Sequence, residues 1–250
     1  MSEVPANYNY SDVPAMEEMG FFKRVTGIVF SPGKTVENLA ARPRVIFPLI
    51  LTAVSLAALY ALRMPLYQEF LRKTMEASSE FTESLTGIQM TPELIEQSIS
   101  SSTISGIATT PLGSLFYWLF TTVVFFAIFK IFGGKGRFKQ YLSITGYAYV
   151  ITVLGYIVVF AASFFTGSLH LEIPLTSLAN LLSSDLRGSF MFGMLRGVDL
   201  FSIWYFAVIA IGMKIVSGFR KYTSYGIIAC AFLIGLIIGG VGELAVGAYM

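Results

Sequence analysis

YLSITGYAYVITVLGYIVVFAASFF, residues Tyr141–Phe165, contains no Asp, Glu, Lys, Arg or His. As a helix rising ~1.5 Å per residue it covers ~37 Å, more than the ~30 Å of a bilayer's hydrocarbon core. A backbone in hydrocarbon must satisfy its own hydrogen bonds, so a helix is the economical form of such a run. Four further apolar runs flank it: Val45–Leu62, Leu112–Phe132, Val198–Val216 and Tyr225–Ala248. None contains Asn, Asp-Gly or similar turn chemistry. The reading is an all-α, polytopic membrane protein: a bundle of five transmembrane helices with amphipathic flanking helices.

Composition agrees. Hydrophobic residues are 55% and charged residues 13% of the 250-residue chain, whereas a soluble domain carries about 25% charge. The 22 Phe and 13 Tyr suit lipid-facing and interfacial positions. A net charge of +2 gives no reason to expect nucleic acid. One cysteine, Cys230, and one histidine, His170, exclude a disulfide framework and a clustered His or thiolate metal site within one chain. Cys230 reads as a small apolar packer. No cofactor is expected.

Charge placement predicts topology. Lys23, Arg24, Lys34, Arg42 and Arg44 precede the first span. Lys130, Lys135, Arg137 and Lys139 lie around the turn between spans two and three, and Lys214, Arg220 and Lys221 between spans four and five. The opposite loops are longer and hold only Arg63, Arg72, Lys73, Arg187 and Arg196. Basic residues collect in cytoplasmic loops, so the expectation is a cell-membrane protein with a cytoplasmic N-terminus and an extracytoplasmic C-terminus. The acidic start, with Glu3, Asp12, Glu17 and Glu18, is the reverse of a signal peptide, so insertion through the first span is expected.

Outside the spans, residues 1–15 read as a disordered cytoplasmic tail. Residues 16–43 read as amphipathic helices. Met19, Phe22, Val25, Thr26 and Val29 form a stripe at helical spacing, with Lys23 and Arg24 off it. That helix either lies in the membrane interface or packs on the protein's own loops. Ser31-Pro32 is a cap-plus-proline signal that restarts a helix, ending before Pro43. The remainder, 44–250, is the membrane domain. Its first extracytoplasmic loop, 63–110, predicts an amphipathic helix through Phe70 to Leu85 ending at Gly87, then a second helix opened by Thr91-Pro92. Ser98–Thr110 either extends that helix into span two or connects loosely. Leu175, Leu178, Leu182 and Leu186 predict a short helix lying flat at the outer interface, followed by a Met/Phe segment between Arg187-Gly188 and Arg196-Gly197.

Phe22-Lys23-Arg24, Ser31-Pro32, Pro43 and Pro48 ahead of the first span, and Asp199-Leu200-Phe201-Ser202-Ile203-Trp204 running to Gly212 and Ser217-Gly218, resemble prokaryotic members of the Yip1 family. The likeness covers nearly the whole chain. It implies an integral membrane protein with five helices and a cytoplasmic N-terminus. Eukaryotic members are associated with prenylated Rab-type GTPases. The DLYGP motif that those members carry ahead of the first span is absent here, and no Pro follows Gly146-Tyr147. The resemblance therefore implies the architecture rather than GTPase binding.

Charged residues at the span ends are the candidate site. Glu243 lies ~27 Å from the inner end of span five, and Arg63, Arg196 and Asp199 fall at a similar outer depth. The expectation is that Glu243 and Asp199 pair with Arg63 and Arg196 and tie spans one, four and five together. Such a cluster is either a structural clamp or a polar vestibule for an ion or small solute. Gly235-x-x-x-Gly239 permits close helix approach, either inside the monomer or in a homo-oligomer. Gly133-Gly134-Lys135-Gly136 lacks P-loop spacing and reads as a tight basic turn. No H-E-x-x-H or G-x-S-x-G occurs. The leading expectation is a non-enzymatic scaffold or adaptor whose partners are the bilayer and other proteins. The alternative is a transporter or channel.

Overall fold

A computed structural model describes residues 18–87, 91–167, 169 and 173–247. The expected tail at 1–15 and His170 lie outside the described residues. In chain order the helices are α1 Phe21–Phe30, α2 Pro32–Ala41, α3 Ile46–Leu62, α4 Met64–Thr86, α5 Pro92–Ile131, α6 Phe138–Thr166, α7 Phe190–Arg196, α8 Leu200–Ser217 and α9 Lys221–Gly247. No strand occurs among the described residues. The fold is an all-α, polytopic membrane bundle.

Four helices, α5, α6, α8 and α9, are each long and apolar enough to cross a membrane. A bent pair, α3 and α4, meeting at 59°, makes a fifth candidate if the two together count as one span. With 17 residues α3 reaches ~25 Å, short of a full core. The bend has a local cause. Pro65 has no amide to continue the α3 hydrogen-bond ladder, and it is well placed in the first turn of a new helix. Arg63 sits at this elbow, ending α3 and capping α4.

The centre of the bundle is α6. It packs against α3, α5 and α8, and at its N-terminal end against α1 and α2. From Tyr141 to Ile151 every residue except Leu142 is buried. Trp118 donates to the Thr145 hydroxyl at 3.0 Å, and Thr122 meets the same oxygen at 2.7 Å. Phe129, Tyr141, Tyr149 and Tyr205 fill the surrounding space, with Tyr149 and Tyr205 edge to face at 6.2 Å. This half of the bundle is densely packed.

Polar latches hold α1 and α2 onto it. Gln140 donates to the Ala40 carbonyl at 2.7 Å. The Ser143 hydroxyl donates to the Arg44 carbonyl at 2.9 Å and accepts from the Arg44 amide at 3.0 Å. The basic turn at 133–136 closes the same end, its Lys135 amide donating to Ser217 O at 3.1 Å. Here α1 departs from the expected stripe. Arg24 and Ile28 face inward, whereas Phe22 and Phe30 are exposed. Asn38 accepts from the Arg24 Nε at 3.0 Å, while the arginine's Nη2 is buried without an acceptor among the described residues. Ser31 stands at the N-cap of α2 but makes no side-chain cap bond, since it also ends α1.

Between α4 and α5 the caps follow their residues. Gly87 ends α4 in the left-handed region at φ 71°, and Thr91 caps α5 by accepting from the Leu94 amide. Ser98–Thr110 continues as helix, so α5 is one element of 40 residues and ~60 Å. Roughly 30 Å of it must project beyond a bilayer core. There α4 packs antiparallel to it, with an Arg72–Glu96 ion pair between them.

The predicted flat helix at Leu175–Leu186 does not form. Two 3-10 turns, Leu178–Leu181 and Ser184–Leu186, replace it. Ser177 and Asn180 are the reason: the Ser177 hydroxyl accepts from the Ala179 amide, and the Asn180 side chain donates to the Pro174 carbonyl at 2.8 Å. Such local bonds compete with the helical ladder. Cys230 is exposed on α9 rather than packed inside.

Candidate functional site

At the end of the bundle opposite α1 and α2, the helices part around a cavity of about 520 Å³. Its wall comes from the α3–α4 elbow, the second half of α6, α7 and the start of α8. Thr152, midway along α6, marks its deepest polar side chain on that helix, and buried Tyr149 and Val150 lie directly beneath. The molecule therefore has a densely packed half and a half that holds a cavity.

Arg63, Arg196 and Asp199 all line this cavity; Glu243 stands behind Arg196. They do not form the four-way cluster expected from sequence. Arg196 pairs with Glu243 at 2.9 Å, joining α7 to α9. Glu243 is buried and also accepts from the Gly188 amide at 3.4 Å. Asp199 is committed to its own helix. Its Oδ1 accepts from the amides of Phe201 at 2.9 Å and Ser202 at 3.2 Å, and its Oδ2 from the Ser202 hydroxyl. A carboxylate in that position satisfies the orphan donors of α8 and meets the positive end of its dipole.

Among the described residues Arg63 has neither kind of partner. It is 8% exposed, and its Nε and Nη2 have no hydrogen-bond acceptor. Its guanidinium carbon lies 5.3 Å from the centre of the Tyr67 ring, a cation–π contact. Tyr67 stacks on Tyr60 at 4.7 Å. Tyr60 fits because Gly106 on α5 has no Cβ; one there would strike the Tyr60 hydroxyl. Thus Gly106, Tyr60 and Tyr67 together set the position of Arg63. Sequence reasoning missed this set. Its available signal was Pro65, which marks the elbow, and the Tyr60/Tyr67 pair seven residues apart.

The glycines of α9 divide as well. Gly235 faces open space, so it makes no close approach within the monomer. Gly239 and Gly240 lie against Gly193 and Phe190 of α7. A Cβ at Gly193 would meet the Gly239 carbonyl and Glu243. The close crossing is thus α7 on α9, and it seats the Arg196–Glu243 pair. Among the described residues no group of three or more His, Cys, Asp or Glu is arranged to hold a metal.

Comparison with known proteins follows the same outline. The Yip1 domain model matches residues 26–242. The chain is 30% identical over 218 residues to "Membrane protein YknW" of Bacillus subtilis (strain 168), an alignment covering 85% of each chain. No solved structure matches.

Proposed function

We propose that this chain, which belongs to the Yip1 domain family, acts as a non-enzymatic scaffold or adaptor that holds partner proteins at the membrane. The observation that carries the reading is the helical hairpin of α4 and α5. A rigid arm ~30 Å long leaves the bilayer, braced by the Arg72–Glu96 pair. Its outer face exposes Phe81 and Leu85, at 66% and 70%. Large exposed apolar side chains on a rigid projecting helix suit a protein contact. In this reading α1 and α2 lie in the cytoplasmic leaflet's interface, with Phe22 and Phe30 toward lipid, and the arm stands on the extracytoplasmic side. The densely packed half of the bundle supports a scaffold.

A photo-crosslinking residue at Phe81 in native membranes tests this, with Ile237 on the outer face of α9 as control. The expected result is discrete protein adducts from position 81 and lipid adducts from position 237. Lipid adducts alone from both positions would refute the adaptor role. A second reading, a transporter or channel, is favoured by the cavity at the far end of the bundle. Solute flux into proteoliposomes carrying the purified protein separates the two.

A further inference from the structure

From Phe70 onward, among the described residues, only one side of α4 is packed. That side carries buried Ser79 and the Arg72–Glu96 ion pair, and it lies on α5. At about 100° per residue, Phe70, Thr74, Ala77, Phe81 and Leu85 fall within an arc of about 80° on the opposite side. All five are exposed. Phe70 and Phe81 stand three turns apart, and Thr74, Ala77 and Ser78 between them form the floor of a shallow groove. Two large rings with small residues between them suit the ridge of another helix, one bulky apolar side chain entering the slot. The stripe from Phe70 to Leu85 runs ~22 Å, enough for about four turns of such a helix.

An apolar face alone does not identify its occupant; the charge beside it does. Glu69, Glu76, Glu80 and Glu83 fall within an arc of about 60° along one edge of the stripe. Residues 64–110 hold six acidic residues and two basic ones. Both bases are committed, Arg72 to Glu96 and Lys73 to Glu69. Among the described residues Glu76, Glu80 and Glu83 make no ion pair, so they border the groove with uncompensated negative charge. A second copy of the arm brings the same net charge and no free base. An anionic lipid surface repels the ridge for the same reason. An amphipathic helix whose apolar face is bordered by Lys or Arg satisfies both the groove and the ridge. In such a pair the apolar contact supplies affinity, and the charges set register and speed the encounter.

We propose that the outer face of α4, from Phe70 to Leu85, is the docking groove for a basic amphipathic helix of a partner protein. This rests on the adaptor reading and adds to it the chemistry of the partner.

The test uses the full-length protein in native membranes, with a photo-crosslinking residue at Phe81 and the control at Ile237. Two quantities are read. One is the partner segment joined to position 81, mapped by mass spectrometry. The other is the adduct yield when the ridge is neutralised by Glu76→Gln, Glu80→Gln and Glu83→Gln together. The joined segment is expected to hold Lys or Arg beside apolar residues at three- and four-residue spacing. Neutralisation is expected to lower the yield by about fivefold or more, with the lipid adducts at position 237 unchanged. Gln and Glu have near-equal helix propensity, so α4 is kept. The mapping uses the native ridge and decides the matter should the triple variant not insert. Protein adducts whose joined segment is acidic or uncharged, or a yield unmoved by neutralisation, overturn the basic partner and leave the adaptor reading standing. An adduct of two copies of this chain overturns it in favour of self-association. Lipid adducts alone at position 81 overturn both.

Discussion

Each end of this bundle buries an arginine, and the two are treated differently. At the α1–α2 end Arg24 is 1% exposed; its Nε bonds to Asn38, and its Nη2 is enclosed without an acceptor among the described residues. At the far end Arg63 is almost as buried; its Nε and Nη2 are likewise enclosed without an acceptor, and its guanidinium is set against the Tyr67 ring at the rim of a cavity. The first arrangement joins α1 to α2 through a charged donor. The second sets a charge against a ring face at the α3–α4 elbow. Burial alone therefore does not say how an arginine is held; the partner does, a side-chain amide for Arg24 and an aromatic ring for Arg63.

The comparison breaks most sharply in the cores beneath the two ends. Phe129 is fully buried beside Tyr141 and Phe219. Phe129→Ala is expected to cost about 3 kcal/mol, because dense packing on every side has to be abandoned. Phe201 lines the cavity at the far end and packs one face against Gly155. Phe201→Ala only enlarges a space that already exists, so about 1 kcal/mol is expected. Equilibrium unfolding in mixed micelles reads both. Equal losses would mean that the far end is as tightly packed as the near one.

A smaller effect sharpens the comparison at α7. Removing Arg196 leaves Glu243 buried without its cation, while neutralising Glu243 leaves a half-exposed arginine that water can solvate. Arg196→Ala is therefore expected to cost about 2 kcal/mol, and Glu243→Gln about 1 kcal/mol, less than a fully buried pair because Arg196 is part-exposed. The asymmetry is the prediction. A double-mutant cycle on the thermal midpoint reads it, and a larger loss from Glu243→Gln would place the cost elsewhere.

Much of the architecture was legible. An uncharged run such as Tyr141–Phe165 leaves few options in lipid, and Gly87 and Thr91-Pro92 punctuate the arm because their chemistry is local. Errors arose where side chains answer to neighbours distant in sequence. Helical periodicity placed Arg24 outward, because it cannot foresee that Asn38 would receive it. It read Leu175–Leu186 as a helix, because apolar spacing does not register Ser177 and Asn180 bonding to the backbone. For the site, sequence depth brought Arg63, Arg196 and Asp199 to one cavity. Depth carries no information on pairing, so the division into an ion pair, a helix cap and an unpartnered arginine emerged only in three dimensions.

The smallest effect lies at the near end, in a contact outside the buried shell. Glu18 bonds Arg44 at 2.8 Å and Arg42 at 3.3 Å. The hydrogen bond and charge of Arg44 hold its carboxyl below the ordinary value of 4.5, with Arg42 and Arg24 adding to the effect. A depressed acid binds its proton more weakly in the folded chain than in the unfolded one. Its contribution is therefore complete above the ordinary value and disappears as pH falls through the lowered one. Wild type should lose more thermal stability than Glu18→Gln between about pH 6 and pH 3, the two curves meeting at the acid end. The gap should also narrow with added salt, because the groups are exposed and screened. Parallel pH curves for wild type and Glu18→Gln would mean that the contact does not form in solution, leaving Asn38, Gln140 and Ser143 to hold α1 and α2 alone.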